Sequence, residues 1–198
     1  MSQHHINIRF PTVAFLNPLF NMSHMKLVRW MRFTWDLTKL PEAPASPGAA
    51  HQIRPVLREE AATARHVILS SLALDTSWND ILKTMQASLE AKLDSIFDAK
   101  EPQCVVITHG SRIIGASAYD IVPESENHLV SGPCISNEYR NRGLGVALLY
   151  GTLSTLKESG LAKAHGLTRL NVAASRFVYP KFGSTSTPFD FEPQLATA

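Results

Sequence analysis

The residues with the clearest chemical meaning run from Ile135 to Val146, as Ile-Ser-Asn-Glu-Tyr-Arg-Asn-Arg-Gly-Leu-Gly-Val. They join an apolar run to a segment of helical periodicity. The first turn of a helix offers backbone N–H groups with no internal partner, and the helix dipole adds positive potential there. Gly143 and Gly145 let an anion approach the backbone closely. Arg140 and Arg142 add charge and fork-shaped donors. These are the parts needed to hold a pyrophosphate. The common nucleotide signatures fit badly. The dinucleotide fingerprint needs three ordered glycines and an acidic residue about 20 positions on, and the phosphate loop needs its lysine. Here only Gly143 and Gly145 are present, and the run before them carries Pro133.

The elements that must position this turn can be read on either side of it. Gln52–Val56 suits a short first strand. Leu57, Ala61, Ala64, Ile68 and Leu72 predict a helix over Arg58–Leu72. Asp75, Thr76 or Ser77 can cap a second helix, with Trp78, Ile81, Leu82, Met85, Leu89, Leu93, Ile96 and Phe97 on one stripe, ending before Pro102. Cys104–Thr108, the His109-Gly110 turn and Arg112–Val122 predict a β-hairpin. Leu129–Ile135 reads as a further strand, broken at Gly132-Pro133 because proline cannot donate to a ladder. Val146, Leu149, Tyr150, Leu153 and Leu156 mark a helix that stops at Gly160. Leu167–Val172 reads as a strand and Ser175–Phe182 as a short helix. Phe189 and Phe191 suit one last strand. The order predicts an α/β fold, a mixed and mostly antiparallel sheet with helices on both faces.

Within that order, Arg140-x-x-Gly143-x-Gly145, preceded by Ile135 and Glu138-Tyr139, resembles the acyl-CoA signature of the GCN5-related N-acetyltransferase superfamily. Tyr179-x-Lys181-x-Gly183 resembles the motif of that family's last helix. The resemblance spans His51 to about Gly183 and implies the acyl-CoA N-acyltransferase fold. It also implies an N-acetyltransferase that passes an acetyl group from acetyl-CoA to an amine by direct attack in a ternary complex. The implied cofactor-binding residues are Ile135, Ser136, Arg140, Asn141, Arg142, Gly143, Leu144, Gly145 and Val146. Backbone N–H groups of Arg142–Val146 would hold the pyrophosphate, and the strand at Ile135 would pair with the pantetheine amides. Tyr179 is the expected general acid toward the departing thiolate.

Several positions depart from the family pattern. Where some members carry a basic carboxylate, six residues before Ile135, this chain has Leu129. His128, Asp120, Glu124 and Glu126 lie nearby. The oxyanion donor, if two residues before Ile135, falls on Pro133, which has no N–H, and the N–H of Cys134 is the expected substitute. A nucleophilic Cys134 has no evident histidine partner, so it reads as a small buried residue. Asn171 is a further candidate contact to the cofactor. The usual phenylalanine after Gly183 is Ser184, and the tail is short for a final hairpin. These departures motivate an alternative: a catalytically weak acyl-CoA-binding sensor or interaction module.

Composition bounds the rest. The chain has 198 residues, 44% hydrophobic and 18% charged, with a net charge of +2. That balance argues against a nucleic-acid partner. No apolar run is long enough to span a bilayer, so no membrane role is expected. Cys104 and Cys134 can form neither a disulfide framework nor a zinc spacing. No metal is expected, and a reducing, cytoplasmic location is. The expected partners are a small-molecule or peptide amine, with a homodimer allowed. Residues 1–40 show no persistent period and read as a variable extension, or as an arm docked on the domain or a second subunit. Pro41–Ala50 reads as a linker, which gives an extension and linker at 1–50 and an acetyltransferase domain at 51–198.

Overall fold

A computed structural model describes residues 29–44, 47–78 and 82–190. Its elements run β1 (Trp30–Asp36), β2 (His51–Pro55), α1 (Ala61–Ala73), α2 (Leu82–Asp98), β3 (Cys104–His109), β4 (Arg112–Ala118), β5 (Cys134–Ile135), α3 (Leu144–Glu158), β6 (Lys163–Arg169) and β7 (Thr185–Phe189). They form two antiparallel sheets, ordered β2-β3-β4-β5 and β6-β1-β7. Each strand face has its own core. Val105, Ile107 and Ile114 pack with Leu144, Leu148, Leu149 and Leu153 of α3. Val106, Cys104 and Ala116 pack with Ala64 and Ile68 of α1 and with Leu93, Ile96 and Phe97 of α2. Because β3 is covered on both faces, Cys104–Ile107 reads as an unbroken apolar run.

The expected boundary placed residues 1–50 outside the domain, yet Trp30–Asp36 forms the middle strand of the second sheet. It pairs with β6 from Trp30↔Arg169 to Asp36↔Lys163, and with β7 from Trp30↔Phe189 to Thr34↔Thr185. Of the two readings of the N-terminal residues, the docked arm describes this stretch. The cause is local: Phe33, Trp35 and Leu37 are buried and alternate with the more exposed Arg32, Thr34 and Asp36. That period of two places Phe33 and Trp35 on one face of the strand, and Leu37 carries the pattern into the 3-10 turn that follows. Among the described residues β7 closes on β1 as a single strand.

Other elements shift by a few residues. A 3-10 turn at Arg58–Glu60 leads into α1, and another at Thr76–Trp78 follows it. β4 ends at Ala118 rather than Val122; the Tyr119 N–H still donates to Gln103 O at 3.0 Å, while on the other side the Ala118 N–H donates to the Ser131 hydroxyl at 3.0 Å. β6 starts at Lys163 and ends at Arg169, ahead of the expected Leu167–Val172. The segment expected as a helix over Ser175–Phe182 is a π-helical turn at Ala174–Val178, and Pro180 stops it. Thr185–Phe189 confirms a last strand, while Phe191 lies outside the described residues.

Candidate active site

Between β5 and β6 the two sheets part. They stay joined where the Leu129 N–H donates to the His165 carbonyl at 3.1 Å. Gly132 then takes φ 62°, Pro133 offers no N–H, and β5 regains only two residues of pairing with β4. The expected break at Gly132-Pro133 therefore opens the sheet. The gap holds a cleft of about 370 Å³ that reaches both faces. Gly143, Leu144, Gly145, Val146, Val178 and Tyr179 line it on the α3 side, and Leu72, Asp75, Trp78 and Leu89 on the α1/α2 side.

The turn before α3 has the conformation of an anion site. Asn141 has φ 62°, and Gly143, the N-cap, has φ 77° and ψ −6° with no side-chain cap. A Cβ on Gly143 would meet nothing within 4 Å, so glycine is required there by the left-handed backbone and not by crowding. None of the N–H groups of Asn141–Gly145 donates to a carbonyl among the described residues. The Val146 N–H does, to Gly143 O at 3.1 Å. The available donors therefore end at Gly145, one residue earlier than expected.

The two arginines have separate tasks. Arg140 turns inward, with Nε donating to Ile135 O at 3.1 Å, a terminal nitrogen donating to Ser71 O at 2.6 Å, and an ion pair to Asp75 at 3.6 Å. It latches the end of α1 to the turn. Arg142 is exposed, donates to Glu138 O at 3.1 Å and lies 5.5 Å from the centre of the Tyr139 ring. Arg142 is thus the side chain available to an exposed anion. Ser136 lies behind the turn, where its N–H bonds Ile114 O at 2.8 Å.

Tyr179 stands over the gap. Its ring is 2% exposed and packs edge-on against Phe33 at 5.3 Å and Trp35 at 5.5 Å. Trp35 Nε1 also donates to Lys181 O at 3.0 Å, tying β1 to the motif that carries Tyr179. The hydroxyl lies above Gly132, where an added Cβ would sit 2.5 Å from it. Burial, and secondarily the neighbouring Cys134 thiol, push the phenol well above its ordinary range. Ser184, in the place of the expected phenylalanine, donates to Tyr179 O at 2.7 Å and closes the turn. Sequence reasoning missed this aromatic clamp, although the alternation of Arg32 to Leu37 was a signal that could have found it.

The strand ladder fixes which N–H faces the cleft. Ser136 and Cys134 pair toward β4, opposite Ile114 and Ala116. Antiparallel alternation turns the Ile135 N–H the other way, so the expected Cys134 donor points into the ladder. The Cys134 thiol is buried and pushed up to about 12, which makes it a poor nucleophile near neutrality. The nearby base candidates are all engaged or remote. Asp120 is bonded by Val122 N–H at 3.0 Å and by Lys92 at 3.2 Å. These partners outweigh burial and hold its carboxyl below the usual range. Glu126 pairs with Arg32 at 2.9 Å, and Glu124 is exposed. His128 is fully buried, and its Nδ1 accepts the His165 N–H at 3.0 Å. Asn171 is exposed and does not line the cleft.

An antiparallel sheet parted beside a glycine-capped helix start, with helices on both faces, defines an acetyltransferase-type α/β fold. Residues 70–183 match the model of the Acetyltransferase (GNAT) family, and the chain belongs to that family. It is similar to a GCN5-related N-acetyltransferase from Sphaerobacter thermophilus, with TM-score 0.53 and 14% identity over 81% of this chain and 49% of that one. It is similar also to a GNAT-family acetyltransferase from Colwellia psychrerythraea, with TM-score 0.54 and 15% identity over 81% of this chain and 53% of that one. The chain spans about half the length of these structures. No curated protein matches it. Among the described residues no helix is long and apolar enough to cross a membrane.

Proposed function

We propose that this protein transfers an acetyl group from acetyl-CoA directly to an amine held in the same cleft. The observation that carries this reading is continuity. The open N–H groups of the turn, the Ile135 N–H and the Tyr179 phenol all border one cleft through the parted sheet. The residues suit a pyrophosphate, because unpaired backbone donors at a helix start favour anions and a side-chain cap is missing. Asn141–Gly145 would hold it, with Arg142 adding charge from the solvent side and Leu144 and Val146 packing beneath. Arg140 serves the site by fixing the turn to α1.

The acyl donor supplies an activated carbonyl. The amine, as its free base, forms a C–N bond to that carbon while the C–S bond breaks. Tyr179 gives its proton to the departing sulfur, and the amine's surplus proton leaves through water, because no unpaired carboxylate lines the cleft among the described residues. Burial keeps the phenol in the protonated form that a proton donor needs. The Ile135 N–H is the donor toward the carbonyl oxygen, in the role first expected of Cys134. Tyr179→Phe is predicted to lower kcat by about 10²-fold. The acetyl-CoA dissociation constant should stay within roughly twofold, since the phenol adds no donor to the pyrophosphate turn. Steady-state CoA release and calorimetry check the two halves separately, and an unchanged kcat removes Tyr179 as the acid. That no unpaired carboxylate lines the cleft among the described residues favours one second reading, an acyl-CoA sensor. Any acetyl-CoA-dependent turnover on an amine panel eliminates it.

A further inference from the structure

The two walls of the cleft start from the join at Leu129 and His165, and they offer a ligand different things. β5 turns the Ile135 N–H into the gap. On the β6 wall the edge N–H groups are already taken. The His165 N–H donates to His128 Nδ1 at 3.0 Å, and the Leu167 N–H donates to Asn127 Oδ1 at 3.1 Å. Thr168 follows, lines the cleft and is 2% exposed. Its hydroxyl is buried and has no hydrogen-bond partner among the described residues. The strand's period of two fixes the face it occupies. Ala164, Gly166 and Thr168 are buried on one face of β6, opposite Trp35, Phe33 and Met31 of β1. That is the face of Tyr179, since a Cβ on Gly166 would stand 3.2 Å from the phenol ring. Thr168 lies two residues past Gly166, about 7 Å further into the gap.

We infer that the Thr168 hydroxyl holds the acyl-CoA arm, at the amide nearest the sulfur, from the wall opposite β5. This rests on the acyl-CoA reading above, in which the sulfur meets the Tyr179 hydroxyl. The first amide of the arm is two methylenes from that sulfur, a span that fits the step of about 7 Å from Gly166 to Thr168. A planar trans amide points its N–H and C=O to opposite sides. A backbone edge on β5 can take one of them, as a strand takes an added peptide. The other turns to β6, where the main-chain donors are occupied and the hydroxyl can donate or accept. A buried hydroxyl without a partner gains a bond that the free protein lacks when such a group enters. Gripped from both walls, the arm brings the thioester to Tyr179 in one register.

The test is calorimetric titration of the full chain with acetyl-CoA and with CoA, beside Thr168→Val and Thr168→Ser. Valine keeps the shape of the side chain and removes the hydroxyl. Thr168→Val should raise the dissociation constant about fivefold for both ligands, because both carry the amide. Thr168→Ser should stay within about twofold of the native chain. Without ligand, Thr168→Val should melt at the native temperature or above it, since no bond within the fold is lost. A lower melting temperature would mean that the hydroxyl has a partner inside the fold, and it overturns the inference. A dissociation constant raised for acetyl-CoA alone also overturns it, by moving the contact to the acetyl group. Native binding that Thr168→Val leaves unchanged overturns this contact and leaves the acyl-CoA reading standing. No binding by the native chain overturns both.

Discussion

Tyr179, the proposed acid, is held by three neighbours that the sequence does not place beside it. Phe33 and Trp35 hold the ring edge-on, and Gly132 leaves the space that the hydroxyl fills. Gly132→Ala fails on two counts, since φ 62° strains any side chain and the Cβ would collide with the phenol oxygen. The predicted cost is about 1–3 kcal/mol of stability, with kcat falling at least as far as in Tyr179→Phe. Thermal melts and initial rates check both. The raised pKa of the phenol adds a pH signature. Its proton stays on through pH 10, the ordinary tyrosine value. The rate should therefore rise as the amine loses its proton and show no phenol-linked decline up to pH 10, and an alkaline decline starting below pH 10 would contradict the burial of the acid. At this scale the turn was legible and its division of labour was not. The motif names Arg140 and Arg142 alike, but only their surroundings send Arg140 into the Ser71 and Asp75 latch.

β1 is the element on which the site depends and the one that local sequence patterns left outside the domain. Its apolar alternation is only three side chains long, and the residues around it mix aromatics and basic groups without a period. Its partners, β6 and β7, lie more than 120 residues away, so no short window can show the pairing. A chain starting at His51, the expected boundary, loses the middle strand of the second sheet and bares the facing edges of β6 and β7. It is predicted to be insoluble or to lack a cooperative melt. Within the full chain, Trp35→Ala should cost about 3–5 kcal/mol by emptying a fully buried site. A truncated chain that melts cooperatively and turns over would refute the placement of β1. Elements with long, strongly periodic patterns were legible, α3 and the β3–β4 hairpin above all, because their signals are local.

On the scale of the whole molecule, two sheets are joined at one end and parted at the other. The join carries two imidazoles, a buried one at His128 and a half-buried one at His165. His128 and His165 have ring centres 5.5 Å apart, and burial holds both below the ordinary 6.5. For His165 the neighbouring His128 adds to the effect, while Asp120 partly opposes it at His128. A lowered folded-state pKa means that the unfolded chain takes up protons first. The contribution of this pair to stability is therefore complete above pH 6.5 and is lost as pH falls toward the folded-state values. Melting temperature should drop between about pH 6.5 and 5. His128→Asn, which can keep an acceptor for the His165 N–H, should flatten that slope. An identical slope in the variant would assign the acid sensitivity elsewhere. The parted sheet was legible at Gly132-Pro133, because a missing N–H and a positive φ are written in residue type. The join was not, because it depends on contacts between Asn127–Leu129 and β6.

The claim on which all of this rests is that the turn before α3 holds the pyrophosphate of acetyl-CoA. Calorimetric titration of the full chain with acetyl-CoA, beside Gly143→Val, tests it most directly. Valine at φ 77° distorts the turn without meeting a neighbour at its Cβ, so the cores on both faces should survive. The account predicts micromolar binding by the native chain, weakened at least about tenfold in the variant while its far-ultraviolet dichroism is retained. No binding by the native chain, or equal binding by a folded variant, would contradict it.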